Sequence, residues 1–238
     1  MAFCELWPSG PIFDPGGGFP LGMDSVLLAD FARPGRGQGV ELCCGSGAVS
    51  LLLLWRAPSL RMDCVELLSS SARCAGDNFA ANGLAGRARV INGDIRDHRR
   101  LLRAGEYSLA VCNPPYFPAG SGRSSPDPAR ALARSEAECT LSDVLDAASW
   151  ALKSGGALAL VHRPERLAEI FEGMRARSME PKRLRLVQHT AASTPSLALV
   201  EGRRGGAPGL RVEPTLLLRD GDGAESGEYR RIYHMEER

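Results

Sequence analysis

Lysine is almost absent from this chain of 238 residues: Lys153 and Lys182 stand against 27 arginines. Neither lysine lies four residues after a tyrosine, so the Tyr-x-x-x-Lys pair of many dinucleotide-dependent oxidoreductases is missing. Long apolar runs are missing too. None approaches the roughly 18 residues of a membrane-spanning helix, and Met1-Ala2-Phe3-Cys4-Glu5 does not resemble a signal peptide. A soluble, cytoplasmic protein is expected. The seven cysteines contain no Cys-x-x-Cys pair and no histidine at zinc spacing, so no metal is expected. Cys43, Cys64 and Cys112 fall on expected strands or their ends, where a free cysteine behaves as a small hydrophobe. The net charge of +1 excludes a strongly basic nucleic-acid protein, and no internal repeat is present.

At 44% hydrophobic residues, the chain can bury a full sheet with helices on both faces. Gly39-Val40-Glu41-Leu42 reads as a strand, Cys43-Cys44-Gly45-Ser46-Gly47 as a glycine turn, and Ala48 to Trp55 as the apolar start of a helix. Glycines let a backbone approach a ligand closely, and a helix amino terminus offers free N–H groups. A second strand, Arg61 to Val65, ends at Glu66, which lies 21 residues after Gly45 and suits two ribose hydroxyls. A third, Ala88 to Asn92, ends at Gly93-Asp94, where Asp94 suits an adenine amine. An acid after a strand is more often a helix cap, so each of the three counts little alone. The competing reading is a nicotinamide dinucleotide loop, but its third fingerprint position, usually Gly or Ala, is Ser50 here.

A fourth strand, Tyr107 to Cys112, leads into Asn113-Pro114-Pro115-Tyr116. An exocyclic aromatic amine is a poor nucleophile until its lone pair is withdrawn from the ring. Two acceptors aimed at its two hydrogens accomplish this. The Asn113 side-chain oxygen and the Pro114 carbonyl fit that need, the prolines stiffen the loop, and Tyr116 offers a face for a planar base. Holding nitrogen and methyl group in attack geometry can lower a barrier by roughly 7–11 kcal/mol, so no strong general base is required. In open α/β sheets, ligands bind at this carboxyl edge.

The rest of the chain is consistent with one catalytic domain, 39–238, preceded by a segment, 1–38, that packs on it. Residues 1–20 are expected to loop over the active site or lie against it, and Gly22 to Phe31 reads as a capped helix. Residues 118–128 read as a substrate loop. Helices are expected over Leu141 to Leu152 and Pro164 to Arg177. Strands are expected over Ala157 to His162, Arg183 to Gln188, Leu197 to Glu201 and Thr215 to Leu218. Three arginine groups are candidates for phosphate contacts: 87–103; Arg123, Arg130 and Arg134; and 175–185. A general preference for arginine is the bland alternative.

These motifs resemble the class I S-adenosylmethionine-dependent methyltransferases, which implies a Rossmann-like α/β fold with a seven-stranded sheet. Glu41, Gly45 and Gly47 match the first motif, with Cys43 in the place of its first glycine. The resemblance extends to Gly22-Met23-Asp24-Ser25-Val26-Leu27-Leu28-Ala29, Ala133-Arg134-Ser135-Glu136 and Tyr229-Arg230-Arg231-Ile232-Tyr233, and there it is to the bacterial tRNA1(Val) adenine-N6-methyltransferase group. That group modifies adenosine 37 beside the anticodon. The resemblance implies S-adenosylmethionine held by Glu41, Cys43, Gly45, Gly47, Glu66, Asp94 and Asn113. It implies an adenine held by Asn113, Pro114, Pro115 and Tyr116, and a tRNA partner; the oligomeric state is left open by the sequence, with a monomer favoured. The tetrad equally suits a protein glutamine amide or an rRNA amine. Glutamine methyltransferases usually carry a longer leading domain than the 38 residues before Gly39, and rRNA guanine-N2 enzymes often carry a duplicated domain. A non-catalytic RNA-binding relative, its cofactor affinity lost through Cys43, is the remaining alternative.

Overall fold

The computed structural model describes residues 3–16, 21–114 and 139–235. Eleven strands and seven α-helices occur among them. In chain order they are β1 (Cys4–Glu5), β2 (Ile12–Phe13), α1 (Met23–Phe31), β3 (Gly37–Leu42), α2 (Ala48–Arg56), β4 (Leu60–Glu66), α3 (Ser69–Ala81), β5 (Ala88–Asn92) and α4 (His98–Leu101). There follow β6 (Tyr107–Cys112), α5 (Leu141–Ala151), β7 (Leu152–His162), α6 (Leu167–Ala176), β8 (Met179–Gln188), β9 (Pro195–Arg204), β10 (Arg211–Val212), β11 (Leu216–Leu217) and α7 (Gly227–Ile232).

The main sheet runs β10-β8-β9-β7-β6-β3-β4-β5, with β11 also paired to β8. From β7 through β6, β3 and β4 to β5 every pairing is parallel, while β9 is antiparallel to both β7 and β8. This is the expected seven-stranded layout. The two-residue strands β10 and β11 extend it along β8, where only the second was anticipated, as part of 215–218.

Burial on both faces explains the apolar strands. Side chains alternate between two cores: Leu109 and Val111 of β6 join one that includes α1 and α2, and Ala110 and Cys112 join the other with α5 and α6. Helix α2 buries six consecutive residues, Val49 to Leu54, because it is enclosed on all sides. Helix α5 begins with a capping box: Thr140 Oγ1 accepts from Asp143 N and the Asp143 carboxylate accepts from Thr140 N. It ends at Ala151 and passes straight into β7, so Ser154-Gly155-Gly156 lies within a strand.

The described part of the leading segment forms the hairpin β1–β2, which docks on α3: Ile12 N donates to Asn82 Oδ1 at 2.9 Å and Asp14 N to Asn78 Oδ1 at 2.8 Å. Gly22, at the amino cap of α1, makes no side-chain cap bond, and Asp24 lies inside the first turn. Residues 227–232 form α7, whose buried Ile232 joins the α1–α2 core.

Candidate active site

Strand order places the three acids side by side, since β3, β4 and β5 are neighbours. The register does the same for the tetrad: Leu42 of β3 pairs with Cys112 of β6, so Cys43 and Asn113 leave adjacent strands at one level. Residues 70 positions apart in sequence thus open the same cleft edge.

The glycine turn has a regular backbone. Cys43, Gly45 and Gly47 have φ of 59°, 55° and 82°. Cys43 adopts the left-handed conformation of the glycine it replaces, at a cost of roughly 1–2 kcal/mol. Its sulfur contacts that of Cys139 at 3.5 Å. The hydrogen bond with Cys112 pushes the Cys43 thiol up, and burial adds to this, so it stays protonated. A Cβ on Gly45 would meet nothing within 4 Å, so room for a ligand remains there. A Cβ on Gly47 would come within 2.7 Å of the Phe79 ring, so this glycine is required by packing of the loop on α3.

Glu66 closes the loop from β4. Its Oε2 accepts from Gly45 N at 2.8 Å and its Oε1 from Leu68 N at 2.9 Å. Each carboxylate oxygen keeps a further lone pair for a hydroxyl donor. Burial raises its pKa. Glu41 sits deeper, 2% exposed, and accepts from Ser50 N at 2.9 Å at the start of α2. Burial lifts its pKa from 4.5 to about 7. Its carboxylate therefore braces the loop from beneath. Asp94 accepts from Arg96 N at 2.9 Å and pairs with the Arg96 guanidinium, which lowers its pKa.

Asn113 is half-buried, and its Nδ2 donates to Ser25 Oγ of α1 at 3.1 Å. Pro114 is buried. Pro115, Tyr116, Arg123, Arg130, Arg134 and the 118–128 loop lie outside the described residues. His162 is 1% exposed at the end of β7, accepts from Arg163 N at 2.8 Å, and has its pKa lowered by burial to about 4. It is neutral at physiological pH.

Two of the three arginine groups are largely engaged within the fold. Arg87 donates to carbonyls of Leu54 and Ala57, both at 3.0 Å, Arg89 pairs with Asp63 at 2.6 Å, and Arg103 with Glu106 at 3.3 Å. In the other group Arg175, Arg177 and Arg183 pair with Glu180, Asp146 and Glu201. Two contributors to the site escaped sequence reading. Ser25 is one. The other is Asn78, fully buried, whose Nδ2 donates to Ser46 O in the glycine turn and to Asp14 O, each at 2.9 Å. A lone polar residue in an amphipathic helix carries no sequence signal for either role.

Among the described residues no cluster of metal-ligating side chains occurs and no helix is long and apolar enough to cross a membrane. Residues 23–176 match the methyltransferase small domain family model. A tRNA1(Val) (adenine(37)-N6)-methyltransferase from Tolumonas auensis is 32% identical over 212 residues, covering 88% of this chain and 86% of that protein. One of the same name from Aeromonas hydrophila is 40% identical over 143 residues, 59% of this chain and 58% of that protein. A crystal structure described as a predicted O-methyltransferase from Agrobacterium tumefaciens superposes with a TM-score of 0.73 over 89% of this chain and 96% of that one, at 19% identity. With the parallel sheet, the left-handed glycine turn and the adjacent Asn-Pro edge, these matches establish that the chain belongs to the methyltransferase small domain family, in the group of the tRNA1(Val) (adenine(37)-N6)-methyltransferases.

Proposed function

We propose that this protein transfers a methyl group from S-adenosylmethionine to N6 of an adenosine in tRNA, at position 37 beside the anticodon. The observation that carries the reading is the register of β3 with β6, which sets the glycine turn beside Asn113. A donor held on one strand end and an amine held on the next are then within reach of each other.

The residues fit the cofactor. The open space over Gly45 gives backbone access, and the Glu66 carboxylate has acceptor capacity for ribose hydroxyls. Asp94 stands at the third strand end for the adenine ring, with Arg96 as its present partner. Glu41 and Cys43 shape the turn from below and from the side. When bound, S-adenosylmethionine supplies an electrophilic methyl group. The chain's own part is to orient the nucleophile. Asn113 Oδ1 and the Pro114 carbonyl accept the two amine hydrogens, and Tyr116 stacks on the base after it leaves the loop stack. The proton released from the methylated amine passes to water. An anticodon loop suits such a site because its bases are already unpaired. With most of the other two arginine groups turned into ion pairs and carbonyl caps, Arg123, Arg130 and Arg134 are the arginines we assign to the RNA backbone. We take the enzyme to be a cytoplasmic monomer, which light scattering with and without tRNA would check.

The test is incubation with labelled S-adenosylmethionine and, separately, total tRNA, rRNA and protein extract, followed by nucleoside digestion. Label in tRNA as N6-methyladenosine, lost in Asn113→Ala while calorimetry still registers cofactor binding, is the expected result. Label in protein alone would move the assignment to glutamine methylation, and label in rRNA alone would move it to the ribosome.

A further inference from the structure

We propose that Asn92 is a positioning residue for the cofactor's ribose, fixing the turn from which Glu66 reaches the site. The inference rests on the reading of Glu66 as the acceptor for the ribose hydroxyls. A carboxylate can take two neighbouring hydroxyls only when both of its oxygens are held at one place and angle. Glu66 is the last residue of β4, and the chain turns there into α3. That turn is poorly specified by its own residues. The amino cap of α3 is Leu68, which makes no side-chain cap bond, so the Ser, Thr, Asp or Asn that commonly fixes such a turn is missing.

The neighbouring strand supplies the restraint. Asn92 is the last residue of β5 and the register partner of Glu66. Its Nδ2 donates to Glu66 O at 2.8 Å and to Leu67 O at 2.9 Å, and its Oδ1 accepts from Ser69 Oγ at 2.6 Å. Carbonyl oxygens only accept, so these two fix the orientation of the amide, and the Ser69 hydroxyl is then the donor. One side chain thereby spans the turn from Glu66 to Ser69, the first residue of α3. Between those ends lies Leu68, whose N–H donates to Glu66 Oε1 at 2.9 Å, while Gly45 N donates to Oε2 at 2.8 Å. The carboxylate is therefore aimed by two N–H groups, one from the glycine turn and one from the turn that Asn92 holds. Groups set in place before a ligand arrives need no ordering on binding. That is what the Asn92 amide contributes to a turn at the protein surface.

The test titrates two ligands calorimetrically, S-adenosylhomocysteine and an analogue of it lacking both ribose hydroxyls, into the parent, Asn92→Ala, Asn92→Asp and Glu66→Ala. The readout is the preference for the hydroxylated ligand, taken as the ratio of the two Kd values. Steady-state kcat for methylation of a tRNA1(Val) transcript at saturating S-adenosylmethionine is measured alongside. Losing the amide's donors predicts a preference about three- to tenfold smaller in Asn92→Ala. Aspartate keeps the size and the acceptor but cannot donate to the two carbonyls, so Asn92→Asp should lose at least as much. kcat should stay near that of the parent, because β3 and β4 stand between β5 and the strand that leads to Asn113. An unchanged preference in either Asn92 variant overturns the proposal, even where both ligands bind more weakly, because equal weakening marks a general loosening of the cleft. So does a kcat that falls as far as the preference does, because the fault would then reach the amine edge. Glu66→Ala separates the two levels. If it keeps the parent's preference, the ribose reading of Glu66 has failed; if it abolishes the preference while both Asn92 variants are silent, only the positioning role has failed.

Discussion

The Cys43 sulfur lies 3.5 Å from that of Cys139, although 96 residues separate them in sequence. The contact turns the Cys43 side chain toward the start of α5 and the core behind it, with φ at 59°. The non-glycine residue in the glycine turn is thus accommodated in a left-handed backbone. Cys43→Gly should therefore leave cofactor affinity within about threefold, since glycine adopts this φ freely. Cys43→Val should weaken it by tenfold or more, because a β-branched residue in the left-handed region is strained by at least about 1–2 kcal/mol. Calorimetric titration of both variants with S-adenosylmethionine checks this.

The fold was legible because its signals were redundant. Buried parallel strands with both faces covered stood out as apolar runs, and Ala88–Asn92 and Tyr107–Cys112 occur with the expected bounds. The glycines, the strand-end acids and the Asn-Pro pair were legible for the same reason: each sits where a strand stops. What did not show was contact between distant segments. Nothing in Gly22-Met23-Asp24-Ser25 says that the serine meets Asn113. The β1–β2 hairpin has only two residues per strand and is held by amide side chains on α3, so its short stretches carry no periodicity. The role of the arginine groups was not legible for a physical reason as well. A guanidinium looks identical in sequence whether it faces phosphate or an internal carboxylate.

Glu41 gives the cofactor-free protein a pH dependence of defined sign. Its pKa is about 7 in the fold against 4.5 without it. Below pH 4.5 the carboxyl is protonated in both states and its contribution is complete. Between 4.5 and 7 the unfolded chain releases the proton while the folded one retains it, so stability falls as pH rises. Above 7 both are ionised and the slope ends. Denaturant unfolding should lose up to about 1.4 kcal/mol per pH unit across this window. Glu66, also raised by burial, adds in the same direction. Glu41→Gln should flatten the profile and gain stability at pH 8 relative to the parent; an unchanged slope would place the ionisation elsewhere.

Asn78 satisfies three backbone groups at once: Asp14 N, Asp14 O and Ser46 O. Asn78→Ala removes all three bonds in a fully buried place, with Asp14 O keeping its contact from Cys74 Sγ at 3.2 Å. A buried polar group left without its hydrogen bond costs about 1–3 kcal/mol, with that contact and water entry reducing the sum. The expected result is a loss of several kcal/mol in urea unfolding and a weakened cofactor affinity, because Ser46 belongs to the turn. Proteolysis near residue 14 should also accelerate, since the hairpin loses an anchor.

Arg183 and Glu201 are register partners on β8 and β9, joined at 2.6 Å, and the same guanidinium donates through Nε to Glu213 at 2.9 Å after β10. The Phe31 ring lies 4.1 Å beneath it at the end of α1. One side chain thus ties the added edge of the sheet to the helix that carries Ser25. Glu201 is only 2% exposed, so removing Arg183 leaves this buried carboxylate with the more distant Arg203, at 3.7 Å. Breaking such a pair from one side typically costs about 3–5 kcal/mol, whereas replacing both partners by apolar residues of similar size is often neutral or stabilising. Arg183→Met should accordingly destabilise by about that amount in urea, and Arg183→Met with Glu201→Met should recover most of it. Both variants should bind cofactor like the parent while folded, because β8 and β9 lie on the far side of β7 from the glycine turn. A single variant as stable as the parent would mean that the edge is held by packing alone.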